Sequence, residues 1–396
     1  MKKVLLTAIA LLTIASTSVF GYYGANSDWI DFLVDANQLR FRVRQMGFVL
    51  GNDMIRGVVG VRDESETQFG AIFNPDTYTP NGSATKQFLN FIPTVSAGIG
   101  YTSDIFSIGV GYNYRYHHST LRGVTKNGYG LSEHTPVLTM TAMNDSLRIA
   151  IPIQVAVKNG DIANYSDGYK YLGVSMDPQI RYYTGIEAFN EIRLYVKYGI
   201  NQTETTEVAN SKQKAESFGF DFRAYFGATV GDVALKPFLK VTYDTALGAK
   251  GKVAYKVADI NGAVDGSYSD TYGVKSSSGV IFVDAVTGGY EHNPWALNIL
   301  PTLGMSANSD IVSIYVEAGL GYGAVDTGYK FNSANAANTG ILHSMRWNAY
   351  GEIYINPVKD LQWYFEAEIG NGGDAFAKNT LQFNGATGIT WYLPTL

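Results

Sequence analysis

The chain has 396 residues, of which 16 % are charged and 13 % aromatic, with 43 Gly, 28 Tyr, 20 Phe and no Cys. Without cysteine, neither disulfide staples nor thiol chemistry is available, and a formal net charge of −5 argues against nucleic acid as a partner. Past the N-terminus no stretch approaches the ~18 consecutive apolar residues of a membrane helix, while abundant Gly and aromatic residues with little charge suit an outer-membrane β-barrel.

In chain order, residues 1–21 read as a secretory signal peptide. Lys2-Lys3 precedes the apolar run Val4–Ala15, and Val19-Phe20-Gly21 gives a cleavage site that sets the mature start at Tyr22. Removing Lys2 and Lys3 from 30 basic residues leaves 28 against 35 acidic, a mature charge near −7.

Residues 22–47 form an N-terminal segment with two readings. Trp29, Phe32, Ala36, Leu39, Val43 and Met46 recur at helical spacing. Ser27 can cap such a helix, Asp28 and Asp31 suit its first turns, and Arg40, Arg42, Arg44 and Gly47 suit its end. Alternatively "LRFRVRQMGF", Leu39 to Phe48, is a strand with Leu39, Phe41 and Val43 on one face and the arginines on the other. The helix accounts for more positions, and it could plug a barrel or lie outside it. It makes Phe48–Arg62 the first of fourteen strands, whereas strands at 28–34 and 39–50 make the count sixteen. Both counts are even, so parity does not choose.

From about residue 87, ten-to-thirteen-residue segments alternate apolar and polar positions. In Ile105–Tyr116, Phe106, Ile108, Val110, Tyr112, Tyr114 and Tyr116 share one face. The same split recurs at Leu147–Val157, Leu172–Tyr182, Ile192–Ile200, Phe218–Phe226, Val233–Tyr243, Trp295–Met305, Val312–Tyr322, Met345–Ile355, Leu361–Ile369 and Leu381–Leu393, and more weakly at Phe91–Tyr101 and Pro136–Met143. These lengths suit tilted membrane strands of ~9–11 residues. The expected fold is therefore all-β, a transmembrane antiparallel barrel over residues 48–396. Short connections such as Thr102–Asp104 and Asn356–Asp360 alternate with long polar ones at 63–86, 117–134, 158–170, 201–216, 244–292, 323–343 and 371–380, the normal arrangement of periplasmic turns and outer loops.

Charge placement separates a barrel from a soluble sandwich. Arg115, Arg148, Asp177, Arg181, Arg193, Lys197, Asp221, Arg223, Lys236, Lys240, Glu317, Arg346, Glu352, Glu366 and Glu368 all fall on the polar sides of their strands. A charge on the lipid face costs ~2–4 kcal/mol at midplane, so these residues are expected to line the lumen. Trp295, Trp347, Trp363 and Trp391 fall on the apolar face near strand ends, as an aromatic girdle requires. Nine basic against six acidic lumen residues suggest passive passage of small solutes with slight anion preference.

No enzyme chemistry is expected. Gly-x-Gly-Tyr at 98–101, 109–112 and 319–322 lacks the third glycine and following helix of a nucleotide loop, and reads instead as strand glycine that allows bends and close approach of bulky neighbours. His117, His118, His134, His292 and His343 fall in or beside loops without metal spacing, so neither metal nor cofactor is expected. "DINGAVDGSYSD", 259–270, misses the EF-hand order, and Gly-x-Ser-x-Gly does not occur.

"MKKVLLTAIALLTIAS" with "WIDFL", "NQLRFRVRQMGFVLGN" and the closing "GITWYLPTL" resembles the variable surface proteins of Brachyspira spirochaetes, most closely over the first 60 residues and the last 20. The resemblance implies an abundant, surface-exposed outer-membrane protein that serves antigenic variation in homo- or hetero-oligomers. It supplies no catalytic site. The ending Leu393-Pro394-Thr395-Leu396 departs from the aromatic last residue that the barrel-assembly machinery commonly reads. The sequence thus leads to a variable surface antigen embedded in outer-membrane lipid, with pore activity compatible. A dedicated porin is the alternative, and an adhesin reading host surfaces through 244–292 a third. Host antibody or surface ligands are the expected outside partners.

Overall fold

The computed structural model describes residues 29–42, 45–63, 93–117, 131–159, 169–205, 213–251, 290–326, 328, 340–371 and 382–396. The signal peptide, Ser27, Arg44 and most of each long connection, including 259–270, lie outside the described residues.

Alternation of small or polar with apolar residues produces strands throughout. They are β1 (Gln38–Arg42), β2 (Gln45–Gly51), β3 (Ile55–Asp63), β4 (Pro93–Tyr101), β5 (Phe106–His117), β6 (Leu131–Ala142), β7 (Leu147–Asn159), β8 (Tyr169–Met176), β9 (Gln179–Ile186), β10 (Phe189–Thr205), β11 (Gln213–Tyr225), β12 (Ala228–Val230), β13 (Val233–Leu247), β14 (Trp295–Asn308), β15 (Val312–Asp326), β16 (Ile341–Val358), β17 (Leu361–Gly370) and β18 (Gln382–Tyr392). Neighbours pair antiparallel around the sheet, and β1 pairs with β18 from Gln38 opposite Tyr392 to Arg42 opposite Gly388, which closes the barrel.

Two of the staves are broken. β8 and β9 both pair with β7 and β10, interrupted at Asp177-Pro178, where proline has no N–H to give the ladder. The Pro178 carbonyl still accepts from Val196 N at 2.9 Å, so the stave bends without parting. β11 and β12 likewise share β13, with Phe226 N donating to the Pro237 carbonyl across the break. Eighteen segments thus make sixteen staves.

This corrects the fourteen-strand count. Phe48–Arg62 is divided by a turn in which the Asn52 side chain accepts from the Met54 and Ile55 amides, and β1 adds a further stave. It also corrects the N-terminal helix: no helix occurs among the described residues, and Trp29–Val34 is a turn closed by Asp35 N donating to the Asp31 carbonyl at 3.0 Å. The helical periodicity was real only over that turn. Past Asn37 period-two alternation holds over β1, with Phe41 outward and exposed, but the single strand 39–50 and the strand 28–34 of the alternative reading are not formed: β1 and β2 fold back on each other, with Leu39 opposite Phe48.

The exterior is apolar. Val95, Ile99, Ile108, Val110, Tyr112, Leu303, Leu320, Met345 and Phe365 are exposed there, while their strand neighbours Ser96, Ser107, Asn113 and Thr302 are buried inside. Such an inversion of soluble-protein patterning is what lipid demands of a closed barrel. Trp363 and Trp391 stand outward at the turn end of β17 and β18, and Trp295 stacks on Tyr243 at the loop end of β14. Val110→Arg, on the exposed face of β5, is expected to destabilise the barrel by ~2–4 kcal/mol, read as a lower urea midpoint in lipid vesicles by the heat-dependent gel-mobility shift.

Candidate functional site

The interior site is built on one wall by glycine and valine, and on the next by arginine. Gly98 lies opposite Gly111, and Gly100 opposite Gly109, on β4 and β5. The four leave a shallow seat on the interior face. Trp29 occupies it at Gly98 and Gly111, and Leu33 at Gly100 and Gly109; a Cβ on Gly98 would come within 2.6 Å of the Trp29 ring and one on Gly109 within 2.9 Å of Leu33. Phe32 packs edge-on to Trp29 with ring centroids 5.6 Å apart. Inward-facing Val49, Val58, Val137 and Ala150 complete the seat around Trp29, Ile30, Phe32 and Leu33. The segment is therefore a plug docked inside the barrel. Burying side chains of this size contributes ~1.5–3 kcal/mol each by area, and Trp29 Nε1 donates to Asn113 Oδ1 at 3.1 Å, which satisfies its one polar atom.

The repeated glycine motif does different work on the far side. Gly319 abuts the side chain of Thr302, and a Cβ on Gly321 would lie 2.8 Å from Leu300 Cα, so these glycines admit a neighbouring strand rather than a plug.

Asp31 carries the electrostatic contact. Its Oδ1 receives Arg148 Nη1 at 2.7 Å and its Oδ2 receives Arg181 Nη1 at 2.6 Å, both pairs being nearly excluded from water. These arginines belong to a belt set by strand register. Arg148 lies opposite Arg181, Arg181 opposite Arg193, Arg193 opposite Arg223, and Arg223 opposite Lys240, across β7, β9, β10, β11 and β13. Like charges directly opposite destabilise a sheet. Relief comes from Asp31 for Arg148 and Arg181, from Glu191 for Arg193 at 2.5 Å, and from Asp221 for Arg223 at 2.8 Å and Lys240 at 3.7 Å.

The other residues expected in the lumen are placed as follows. Arg115 is buried against Glu133 at 2.6 Å. Asp177 and Lys197 are buried near the break between β8 and β9. Lys236 sits 5.7 Å above the Tyr315 ring, and Arg346 donates to Asn298 at 2.9 Å. Glu317 accepts from Tyr315, Glu352 from Tyr350, and Glu366 from Tyr350 and Tyr364. Glu352 faces Glu366, and Glu368 faces Tyr350. Charge is thus segregated: cations dominate from β7 to β13, and tyrosine-bound carboxylates from β15 to β17. Arg42, on β1, covers the Tyr364 ring at 4.0 Å and borders the acidic wall.

Sequence reasoning missed Asp31, Glu133 and Glu191 as interior charges. Glu191 was within reach, two places before Arg193 on one strand face; Asp31 was not, because its partners are 117 and 150 residues away. Three of the histidines have partners: His134 with the Tyr112 hydroxyl, His343 with that of Tyr322, and His292 with Asp326 at 2.8 Å.

The rim at the turn end anchors the plug's far side. Asn37 Nδ2 donates to the carbonyls of Gly51 and Pro394, each at 2.8 Å, and Leu393 N returns to the Asn37 carbonyl. The non-aromatic chain ending is thereby bound to the base of the plug.

A family model described as Serpulina hyodysenteriae variable surface protein matches residues 2–392. The chain belongs to that family. The resemblance carried by "WIDFL" and the chain ends thus extends over nearly the whole sequence. No curated protein matches it. Similar solved structures include a bacterial polysaccharide outer membrane secretin (10 % identity, 88 % of this chain and 90 % of that one, TM-score 0.46). Others are the translocator domain of autotransporter NalP from Neisseria meningitidis (10 %, 98 % and 97 %, 0.32) and a loop-deleted OmpT of Vibrio cholerae (10 %, 90 % and 96 %, 0.29). Every one of these scores is below 0.5, so the family assignment rests on the sequence match. With its apolar exterior, the closed barrel is a surface-exposed outer-membrane protein.

The two plug carboxylates set opposite pH limits on docking. Burial alone would raise Asp31, but Arg181 and then Arg148 outweigh it and hold the carboxyl below its ordinary range. Burial raises Asp35 to about 7 against the pull of Arg40. Asp31 therefore favours docking above the ordinary carboxylate pKa and loses that contribution as pH falls through its depressed value. Asp35 favours docking while protonated and loses that contribution as pH rises through about 7. The emission difference between the wild type and Trp29→Phe is expected to be most blue-shifted in the mildly acidic window between these limits, and to shift red outside it; a pH-independent difference would refute the assignment.

Proposed function

We propose that the protein is a variable surface antigen, exported through the cleaved peptide 1–21, that presents its long connections outside the cell. The observation that carries this reading, beyond family membership, is the base of the connection between β13 and β14. Gly251 N donates to the Tyr290 carbonyl at 2.9 Å, the Ala249 and Lys250 amides both donate to the Asn293 side chain, and Glu291 N donates to Gly328 of the next connection. Ala246, Ala249 and Tyr290 are buried beneath this clasp. Residues 252–289, which lie outside the described residues, therefore leave and return at one closed point. Loop-closure cost rises only slowly with length, so sequence and length there can change at little cost to the barrel. The short turns at the opposite end face the periplasm in this reading. Replacing 252–289 with a short Gly-Ser linker is expected to leave the gel-mobility shift intact and to abolish binding of antibody raised against that segment to whole cells. Absence of such binding to wild-type cells would overturn surface presentation.

Pore activity is the compatible second role, favoured by the charged interior, since barrels of about this strand number enclose an aqueous channel. The plug obstructs one side of that channel. Deleting residues 22–35 removes it while sparing β1, whose pairing with β18 closes the barrel. Larger single-channel steps from this deletion than from the intact protein in planar bilayers are the expected result; equal conductance would show that the plug does not limit flow.

A further inference from the structure

We infer that Arg148 and Arg181 form an oxyanion-binding site in the lumen, occupied in the docked state by the protein's own Asp31, and that a free phosphate or carboxylate competes for it and undocks the plug. The inference concerns the lumen and stands apart from the antigenic role.

The site has a wall half that does not depend on the plug. Arg148 is held by the Asp145 carbonyl, which its Nε reaches at 3.2 Å, and by the Tyr183 ring, 4.8 Å beneath its guanidinium. Arg181 is fixed by its register between Arg148 and Arg193 and is only 1 % exposed. Each guanidinium gives one N–H to a different oxygen of the same carboxylate, the way two arginines grip a carboxylate or phosphate ligand. Arg181 also has two buried donors, Nε and Nη2, without a hydrogen-bond partner. A carboxylate brings only two oxygens to this pocket; a phosphate brings more, and can fill donors that Asp31 leaves idle.

Charge points the same way. Asp31, Glu191 and Asp221 each contact the five-cation belt, and of these three only Asp31 comes from outside the barrel wall. When Asp31 leaves, Arg148 and Arg181 lose the carboxylate that both of them bind. Uncompensated buried charge of this kind is costly, so undocking is expected to be coupled to capture of an anion. The anion must arrive through the lumen, because both side chains point away from the lipid.

The test uses the absence of native cysteine. Ile30→Cys puts the sole thiol on the plug, where Ile30 is 1 % exposed. The mature protein is folded in a non-ionic detergent, with folding confirmed by the gel-mobility shift, and labelled with a maleimide at fixed pH and fixed ionic strength, in chloride or in inorganic phosphate. Phosphate is expected to speed labelling saturably, by about tenfold, the equivalent of ~1.4 kcal/mol. Asp31→Asn should label fast in either salt. Arg181→Gln should abolish the phosphate response, and Arg181→Lys, which keeps the charge but loses the fork, should weaken it. Equal rates in chloride and phosphate, or a phosphate response that survives Arg148→Gln combined with Arg181→Gln, would overturn the site. Should Ile30→Cys itself label at the Asp31→Asn rate, the Trp29 emission difference against Trp29→Phe reads the same equilibrium and carries the same two outcomes.

Discussion

The carboxylate of Asp31, shared between Arg148 and Arg181, is the contact on which the interior depends. A belt of register-paired cations on adjacent strands is an unstable thing to build into a sheet, because each like pair repels at close range and the wall has few places to put counter-charge. Glu191 and Asp221 supply it from the same strand face, two residues from the arginine each serves. At Arg148 and Arg181 no wall carboxylate among the described residues makes the salt bridge, and Asp31 of the N-terminal segment, bent inside, makes it instead. The hydrophobic seat then fixes where that segment lies. Trp29 and Leu33 find space because four glycines on β4 and β5 coincide in register, and the turn between them points Asp31 toward β7 and β9. Apolar docking and charge neutralisation are one event in this barrel.

The wall of the barrel was legible in the sequence because lipid imposes a strict rule on strand after strand. Ile108, Val110 and Tyr112 outward, with Ser107, Gly109 and Asn113 inward, follow directly from alternation. The N-terminal stretch defeated the same method because it changes structure midway. Trp29 and Phe32 keep a helical spacing for the single turn they form, and Gln38 to Gly51 then alternates as a tight hairpin; a window covering both averages two periods into one apparent helix. The site was legible as a list of interior charges but not as an arrangement. Register decides whether Arg181 meets Arg193 or misses it by one position, and register over such distances is set by turns and breaks such as Asp177-Pro178, which leave only a faint trace in composition.

Segregation of charge gives the interior a direction. Cations gather from β7 to β13, and carboxylates bonded to tyrosine hydroxyls from β15 to β17, so a field runs across the lumen rather than along it. A count of nine basic and six acidic residues predicts only weak anion preference. Their arrangement makes one side of the lumen net cationic, its arginines and lysines outnumbering Asp177, Glu191 and Asp221 on the same wall, with the plug carboxylate seated among them. In the proposed pore role, selectivity would be governed by which surface the plug leaves uncovered.

The plug is also tethered in a way that limits what undocking can do. Asn37 is bonded to the carbonyls of Gly51 and Pro394, and one residue later the chain enters β1, whose five residues close the barrel against β18. The eight residues from Trp29 to Ala36 can span at most ~29 Å from that anchor when fully extended. A plug that leaves its seat therefore stays at the turn-end mouth, close to the arginines it vacated, at high effective concentration for rebinding. Because the anchor and the seam share one strand, the barrel keeps its closure whether Asp31 is docked or not, and the clasp at Gly251 and Tyr290 lies at the opposite end of the wall. What happens to the long connections and what happens to the plug are, on this architecture, mechanically separate matters.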